Sequence, residues 1–296
     1  MIYLSVAEIA KKWGKSDRSV RNYCAEGRIP GAYQEKGTWY IPDDAILPQR
    51  RPRTPGYVID TILRQEKAAR LSGGLYHRVQ IDLTYNSNHM EGSCLSHEQT
   101  RHIFETSTLG IADAAVRVDD IIETVNHFRC IDYVIDSIHK PLTEAYIKQL
   151  HRLLKSNTGD ADQDWFAVGD YKRLPNEVGG HPTVAPEEVP AAMQALLSSY
   201  GESGRKALSD LLAFHVRFEK IHPFQDGNGR VGRLILFKEC LKYRIVPFII
   251  EDDLKLFYYR GLAEWDREPG YLTDTCLAAQ DRFKRYLDYF RIAYKD

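Results

Sequence analysis

Twelve consecutive residues concentrate the reactive groups of this chain. Residues 222–233 read His-Pro-Phe-Gln-Asp-Gly-Asn-Gly-Arg-Val-Gly-Arg. His222 is the one group in the segment whose ordinary pKa lies near neutrality, which makes it the candidate general base. Asp226 supplies a hard carboxylate of the kind Mg²⁺ takes. Gly227 and Gly229 remove side chains where phosphate oxygens must approach the backbone. Arg230 and Arg233, three apart, fall on one side of a first helical turn and can clamp phosphate with paired N–H donors. A loop ending at a helix N-terminus also offers free N–H groups and the positive end of the helix dipole, an anion nest. Base, metal ligand, nest and clamp together are equipment for phosphoryl or nucleotidyl transfer.

The elements that must hold this loop are helices. Upstream, Leu208, Leu211, Leu212 and Phe218 give an apolar face; downstream, Leu234, Ile235 and Leu241 do the same. Apolar recurrence at three and four predicts further helices, among them Tyr57–Leu71, Val79–His89, Val116–His139 and Leu272–Ala293. Phe224 is expected to anchor the loop in the core. The pattern breaks at residues 170–184, DYKRLPNEVGGHPTV, where Gly179-Gly180 and two prolines predict a hairpin or ordered loop. The expected fold is mainly α: a helical bundle with a β-hairpin flap, preceded by a small separate module.

The chain has 296 residues, 43% hydrophobic and 27% charged, an ordinary globular composition that excludes disordered tails, collagen-like repeats and disulfide miniproteins. No apolar run approaches the ~20 residues that span a bilayer. The N-terminus, MIYLSVAEIAKKWGK, lacks the pattern of a signal peptide, so the cytoplasm is the expected location and no membrane partner is expected. Five scattered cysteines without a CxxC pair predict buried thiols rather than zinc or disulfides.

Charge is uneven. Residues 1–53 carry ten Lys/Arg against six Asp/Glu, while the remainder is net acidic. Residues 48–56, PQRRPRTPG, suit an extended connector, dividing the chain into 1–47, a linker 48–56 and a body 57–296. In the first part Ser5-Val6-Ala7-Glu8 is a capping box opening one helix. Ser16 caps a second, Asp17 to Glu26, and residues 31–42 alternate as a hairpin with Trp39 and Ile41 inward. This is a winged helix-turn-helix pattern, similar to MerR/excisionase-like modules. Arg18, Arg21 and Asn22 on the second helix would meet base edges or phosphates, with Arg28 and Lys36 against the backbone.

HPFQDGNGRVGR resembles the Fic family motif, HxFx(D/E)GNGRxxR, at every defined position, and the resemblance is expected to cover residues 57–296. It implies transfer of AMP from ATP to a Ser, Thr or Tyr hydroxyl of a protein, with release of pyrophosphate. His222 would deprotonate the hydroxyl. Asp226 would hold Mg²⁺, with Mn²⁺ as an alternative. Asn228 and the Gly227–Gly229 backbone would cradle phosphates, and Arg230 and Arg233 would hold the β- and γ-phosphates. Doc-type members, which phosphorylate, carry Lys where this chain has Gly229, so nucleotidyl transfer is expected; the motif leaves phosphocholine transfer open. Asn176, Glu177, Val178 and Gly179 take the place of the flap over ATP, and Tyr258-Tyr259 the place of side chains around adenine.

Residues 87–92, Ser-Asn-His-Met-Glu-Gly, match the (S/T)xxxE(G/N) inhibitory motif of the family, on a helix expected over about 79–92. Ser87 and Glu91 share a helical face and Gly92 ends it. Glu91 paired with Arg233 would take the γ-phosphate clamp out of use. The implied activity is self-inhibited protein adenylylation. Two alternatives stand beside it: a DNA-binding transcriptional regulator with this domain as sensor, and an enzyme that removes AMP with the help of Glu91. Expected partners are ATP, a protein substrate, the protein itself as a second substrate, and DNA through residues 1–47; a homodimer is left open.

Overall fold

The computed structural model describes residues 3–25, 28–35, 38–48, 58–109, 115–201 and 204–294. They fall into two units, Met1–Pro55 and Gly56–Asp296. Of the linker 48–56, only Pro48 lies among the described residues.

The first unit opens with β1 (Tyr3–Leu4) and α1 (Val6–Trp13). Ser5 and Glu8 form the reciprocal cap expected of them, the Ser5 N–H donating to Glu8 Oε2 at 2.8 Å. Gly14, left-handed at φ 61°, ends α1, and α2 (Asp17–Ala25) follows. The hairpin β2 (Tyr33–Glu35) and β3 (Thr38–Pro42) pairs Tyr33 with Tyr40 and Gln34 with Trp39. The sheet has a third strand, in the order β1-β3-β2, because Tyr3 and Leu4 pair with Pro42 and Ile41. Two residues are too short for periodicity to reveal. Val6, Ile9, Val20, Cys24, Ile29 and Ile41 close a core beneath these elements.

The second unit is helical: α3 (Ile59–Ala69), α4 (Leu75–Met90), α5 (His97–Thr106), α6 (Val118–Asp136) and α7 (Glu144–Lys155) precede a hairpin, β4 (Glu177–Val178) and β5 (His181–Pro182). Then come α8 (Val189–Gly201), α9 (Leu208–Ile221), α10 (Asn228–Tyr243), α11 (Lys255–Ala263) and α12 (Gly270–Tyr289). At the centre lies α10, buried all round, with Val231, Leu234, Ile235, Phe237 and Leu241 against α4, α6, α7 and α9. Burying even its charged residues is tolerable because they are paired: Lys238 donates to Glu239 at 2.6 Å, and Glu239 also accepts from Tyr200 at 2.8 Å.

Two boundaries depart from the periodicity by four residues. The α4 helix begins at Leu75, not Val79, because Glu66 of α3 accepts the first-turn N–H of Tyr76 at 2.8 Å. This long-range cap has no local signature. The last helix stops at Tyr289, not Ala293: Arg291 turns left-handed, φ 56°. Among the described residues no helix is long and apolar enough to cross a membrane.

Candidate active site

The reactive loop joins the C-terminus of α9 to the N-terminus of α10. His222 caps α9 in the left-handed region, φ 51° and ψ 61°, its N–H donating to Phe218 O at 3.0 Å. A non-glycine residue there costs about 1–3 kcal/mol, which the surrounding structure must over-determine. The loop is over-determined from within and from below. Asn228 Oδ1 accepts from the Phe224 N–H and its Nδ2 donates to Phe224 O, both at 2.8 Å. Phe224, wholly buried, stacks on His151 at 4.0 Å with the rings 3° from parallel. His151 Nδ1 accepts from the Gly169 N–H, so its protonated Nε2 donates to Asp226 O at 3.1 Å. Gly227 sits at φ 80°, where a Cβ would press on Leu154 at 3.2 Å.

The charged groups follow from this frame. Burial, opposed by the Glu219 carbonyl and reinforced by Lys172, lowers the pKa of His222 and keeps its imidazole neutral at physiological pH. Asp226 Oδ2 accepts from Lys155 Nζ at 2.7 Å and from Arg230 at 2.9 Å. Burial disfavours its charge, but Arg230 and Lys155 outweigh that and hold the carboxyl well below its usual range. Arg230, 3% exposed, also pairs with Glu123. A polar cleft of ≈ 120 Å³ opens among Glu91, Glu123, Lys155, Asp160, Asp226 and Arg230. Carboxylate oxygens of Glu123, Asp160 and Asp226 lie within 4.8 Å of one another. These oxygens, with the Asp226 side chain 45% accessible, fit a hard divalent ion such as Mg²⁺. Lys155 already neutralises the inner face of the cluster, bonded to Glu123, Asp160 and Asp226 together.

Arg233 is buried and held on one side by Ser87 of α4 and by Glu91 just beyond it. Its Nε donates to Ser87 Oγ at 3.0 Å, and an amino nitrogen donates to Ser87 O at 2.9 Å and Glu91 Oε1 at 2.7 Å. Glu91 is the cap just past α4, and a Cβ on Gly229 would overlap its Oε1. Glycine at 229 is therefore what lets the carboxylate reach the first turn of α10. Gly92, at φ 92°, turns the chain away. Glu219, one turn before His222, has Oε1 buried without a partner; burial raises its pKa to about 8 despite Arg233, so it is protonated at neutral pH.

The hairpin expected over residues 170–184 forms with Glu177 opposite Pro182 and Val178 opposite His181, and Gly179 and Gly180 both take positive φ at its tip. Asn176 ties it to the loop, Nδ2 donating to Phe224 O at 3.0 Å; Glu177, Val178 and Gly179 are exposed.

Three expectations need correcting. Tyr258 does not line a nucleotide pocket: it is wholly buried, its hydroxyl 2.6 Å from His215 Nε2, because an α11 packed on α12 turns this face into the core. Its neighbour Tyr259 is 39% exposed and donates to Met90 O at 3.2 Å, beside Glu91. The Asn228 side chain is spent on the Phe224 backbone and so shapes the nest rather than lining it. Arg28 is half-buried with its guanidinium 4.7 Å above the Tyr23 ring, not projecting as a free backbone contact. Arg21 and Asn22 are exposed; Lys36 and the Arg18 side chain lie outside the described residues. Sequence reasoning missed Glu123, His151, Lys155, Lys172 and Glu219, which come from four other segments and carry no motif.

Residues 141–239 match the Fic/DOC family. Relatives include a protein named protein adenylyltransferase Fic from Drosophila willistoni, 30% identical over 207 residues, and its namesake from Drosophila virilis, 28% identical over 206. Each alignment takes in 69% of this chain, but the chain spans only 38% and 39% of those relatives' lengths. Among solved structures, a Fic domain containing signaling protein from Bacteroides thetaiotaomicron superposes with a TM-score of 0.58 at 25% identity, over 78% of this chain and 90% of that one. Fic-1 from C. elegans gives 0.61 at 20% identity, over 79% and 73%. The stretch 141–239, which carries the His222–Arg233 loop, is a Fic/DOC domain.

Proposed function

We propose that this protein is a self-inhibited protein adenylyltransferase that moves AMP from ATP to a Ser, Thr or Tyr hydroxyl. The observation that carries the reading is one loop that sets a neutral imidazole, an ionised carboxylate and two buried arginines around a helix N-terminus. Relatives named protein adenylyltransferase Fic support it.

The chain's own groups account for the proton and the charge. Nδ1 of His222 is buried, so Nε2 takes the proton of the target hydroxyl. The hydroxyl oxygen bonds to the α-phosphorus, the bond from that phosphorus to the β-bridging oxygen breaks, and pyrophosphate leaves. The first-turn N–H groups of α10 lack intrahelical acceptors and receive phosphate oxygens. Mg²⁺ held at Asp226 would neutralise phosphate charge when bound. Glu91 would have to let go before Arg233 could turn its bonded amino nitrogen to the γ-phosphate, since Nε and that nitrogen already face Ser87 and Glu91.

A charge-assisted hydrogen bond of this kind is worth about 1.5–3 kcal/mol, so releasing it raises the competent population by roughly 10- to 100-fold. Glu91→Gly is expected to increase incorporation of α-labelled ATP into protein, the protein itself included, by that order. His222→Ala in the same background abolishes it while ATP still binds. Unchanged labelling on Glu91→Gly would sink the inhibitory role, and labelling that survives His222→Ala would sink the base. AMP release from a pre-labelled target without new incorporation would favour the reverse reaction.

A further inference from the structure

Lys172 lies between Tyr171 and the hairpin, 3% exposed, with no carboxylate among the groups that act on it. Among the described residues its ammonium donates to neutral oxygens, Asn176 Oδ1 at 2.7 Å and Thr183 Oγ1 at 2.5 Å. Those two residues immediately flank β4 and β5, and they are also joined to each other, the Thr183 N–H donating to Asn176 O at 3.2 Å. The same segment grips the reactive loop by three bonds. The Lys172 N–H donates to Pro223 O at 2.9 Å, Asn176 Nδ2 to Phe224 O at 3.0 Å, and the Leu174 N–H to Gln225 Oε1 at 3.2 Å. Thus one buried ammonium closes the base of the hairpin, and the hairpin base holds the residues that follow His222.

We propose that Lys172 is a positioning residue: it staples the flap hairpin to the His222 loop and presents a buried positive charge to the base. An unpaired buried lysine is costly, and burial alone lowers its pKa to about 8; a serine-sized or apolar residue would pack there without that cost. The charge is useful because of what else faces His222. Glu91 and Asp226 favour imidazolium, as does the Glu219 carbonyl, whereas burial and Lys172 oppose it. Without Lys172, the negative groups would move the imidazole toward its protonated form, which cannot accept the hydroxyl proton.

This inference rests on the adenylyltransferase reading, but half of its test does not. In the full chain, the His222 ring is titrated by NMR, its signals assigned by their loss in His222→Ala. Lys172→Met is expected to raise the midpoint by about 0.5 pH unit or more, and Lys172→Arg to restore it. Thr183→Val keeps the charge and loosens the staple, so it leaves the midpoint in place. In the Glu91→Gly background, Lys172→Met and Thr183→Val each lower kcat for self-labelling by about 10-fold, with KM for ATP unchanged. A midpoint unmoved by Lys172→Met overturns the electrostatic role, and an unmoved kcat in both variants overturns the staple. Should the Glu91→Gly parent not label at all, the enzyme reading fails while the titration still decides for or against Lys172. Circular dichroism confirms that each variant is folded before either result counts.

Discussion

At the scale of single residues, the site is a set of conflicts settled by neighbours. His222 is half-buried, and the loss of water around it keeps it neutral, yet two carboxylates and a carbonyl lean on it the other way. Its pKa stays below the ordinary 6.5, so the acid limb of the transfer rate should have its midpoint below pH 6.5. In the Glu91→Gly enzyme one of the groups favouring imidazolium is gone, which moves the limb further down. A pH series of self-labelling checks this; a midpoint above 6.5 would mean that another group takes the proton. Motif residues were readable because each carries its chemistry in its type: imidazole, carboxylate, glycine, guanidinium. Their supports were not. Lys155 reads as the solvated end of an amphipathic helix, and only the fold places it among Glu123, Asp160 and Asp226. Tyr258 failed for the same reason: a Tyr-Tyr pair on a helix cannot say which ring faces the core, and here it is the first.

Among elements, α10 is held by helices that turn neutral histidines toward it. His127 of α6 lies near Arg230 and Arg233 with Nδ1 2.9 Å from Thr84 Oγ1; His215 of α9 lies against Gly232 and Tyr258. Burial, helped by the arginines, pushes both pKa values down to about 3. A group whose folded pKa is depressed in this way favours the neutral form in the fold. Its stabilisation is complete above 6.5 and is lost as pH falls below it. At pH 5 each costs about 2 kcal/mol relative to neutral pH, so the pair removes about 4 kcal/mol of a typical ~5–15 kcal/mol. His151, buried and also lowered to about 3, adds to this loss, while Glu219, raised to about 8, opposes it because the fold holds its proton. With three histidines against one carboxyl, thermal unfolding of the ligand-free protein should shift down between pH 7 and pH 5, and His127→Gln should flatten the dependence. An equal slope in the variant would mean that these rings are protonated in the fold. Helices with apolar stripes, such as α7 and α9, were legible to within a few residues. The start of α4 was not, because Glu66 caps it from another helix, and β1 was not, because two residues have no period.

For the whole molecule, the two units have separate hydrophobic cores: Val6, Ile9, Val20 and Ile41 in one, and the cluster around α10 in the other. Every group assigned to the proposed chemistry, from Glu91 to Arg233, belongs to the second. Deleting residues 1–50 should therefore leave ATP-dependent self-labelling of the Glu91→Gly protein intact. The first unit is where the excess of basic residues sits, with Arg21 and Asn22 exposed on α2 and Arg28 drawn onto Tyr23. If this unit binds DNA, phosphate contacts fall to Arg18, Arg21 and Lys36. Three contacts predict that log affinity falls with log salt concentration at a slope of about −3. Gel-shift or anisotropy titrations on duplex DNA between about 50 and 200 mM salt measure that slope, and Arg21→Ala should reduce it by about one. A full-length protein that binds no duplex even at the lowest salt would reassign α1, α2 and the three-stranded sheet to contacts with protein. In that outcome the exposed tyrosines of the sheet, Tyr3 and Tyr33 at 5.2 Å edge to face, become the first residues to substitute.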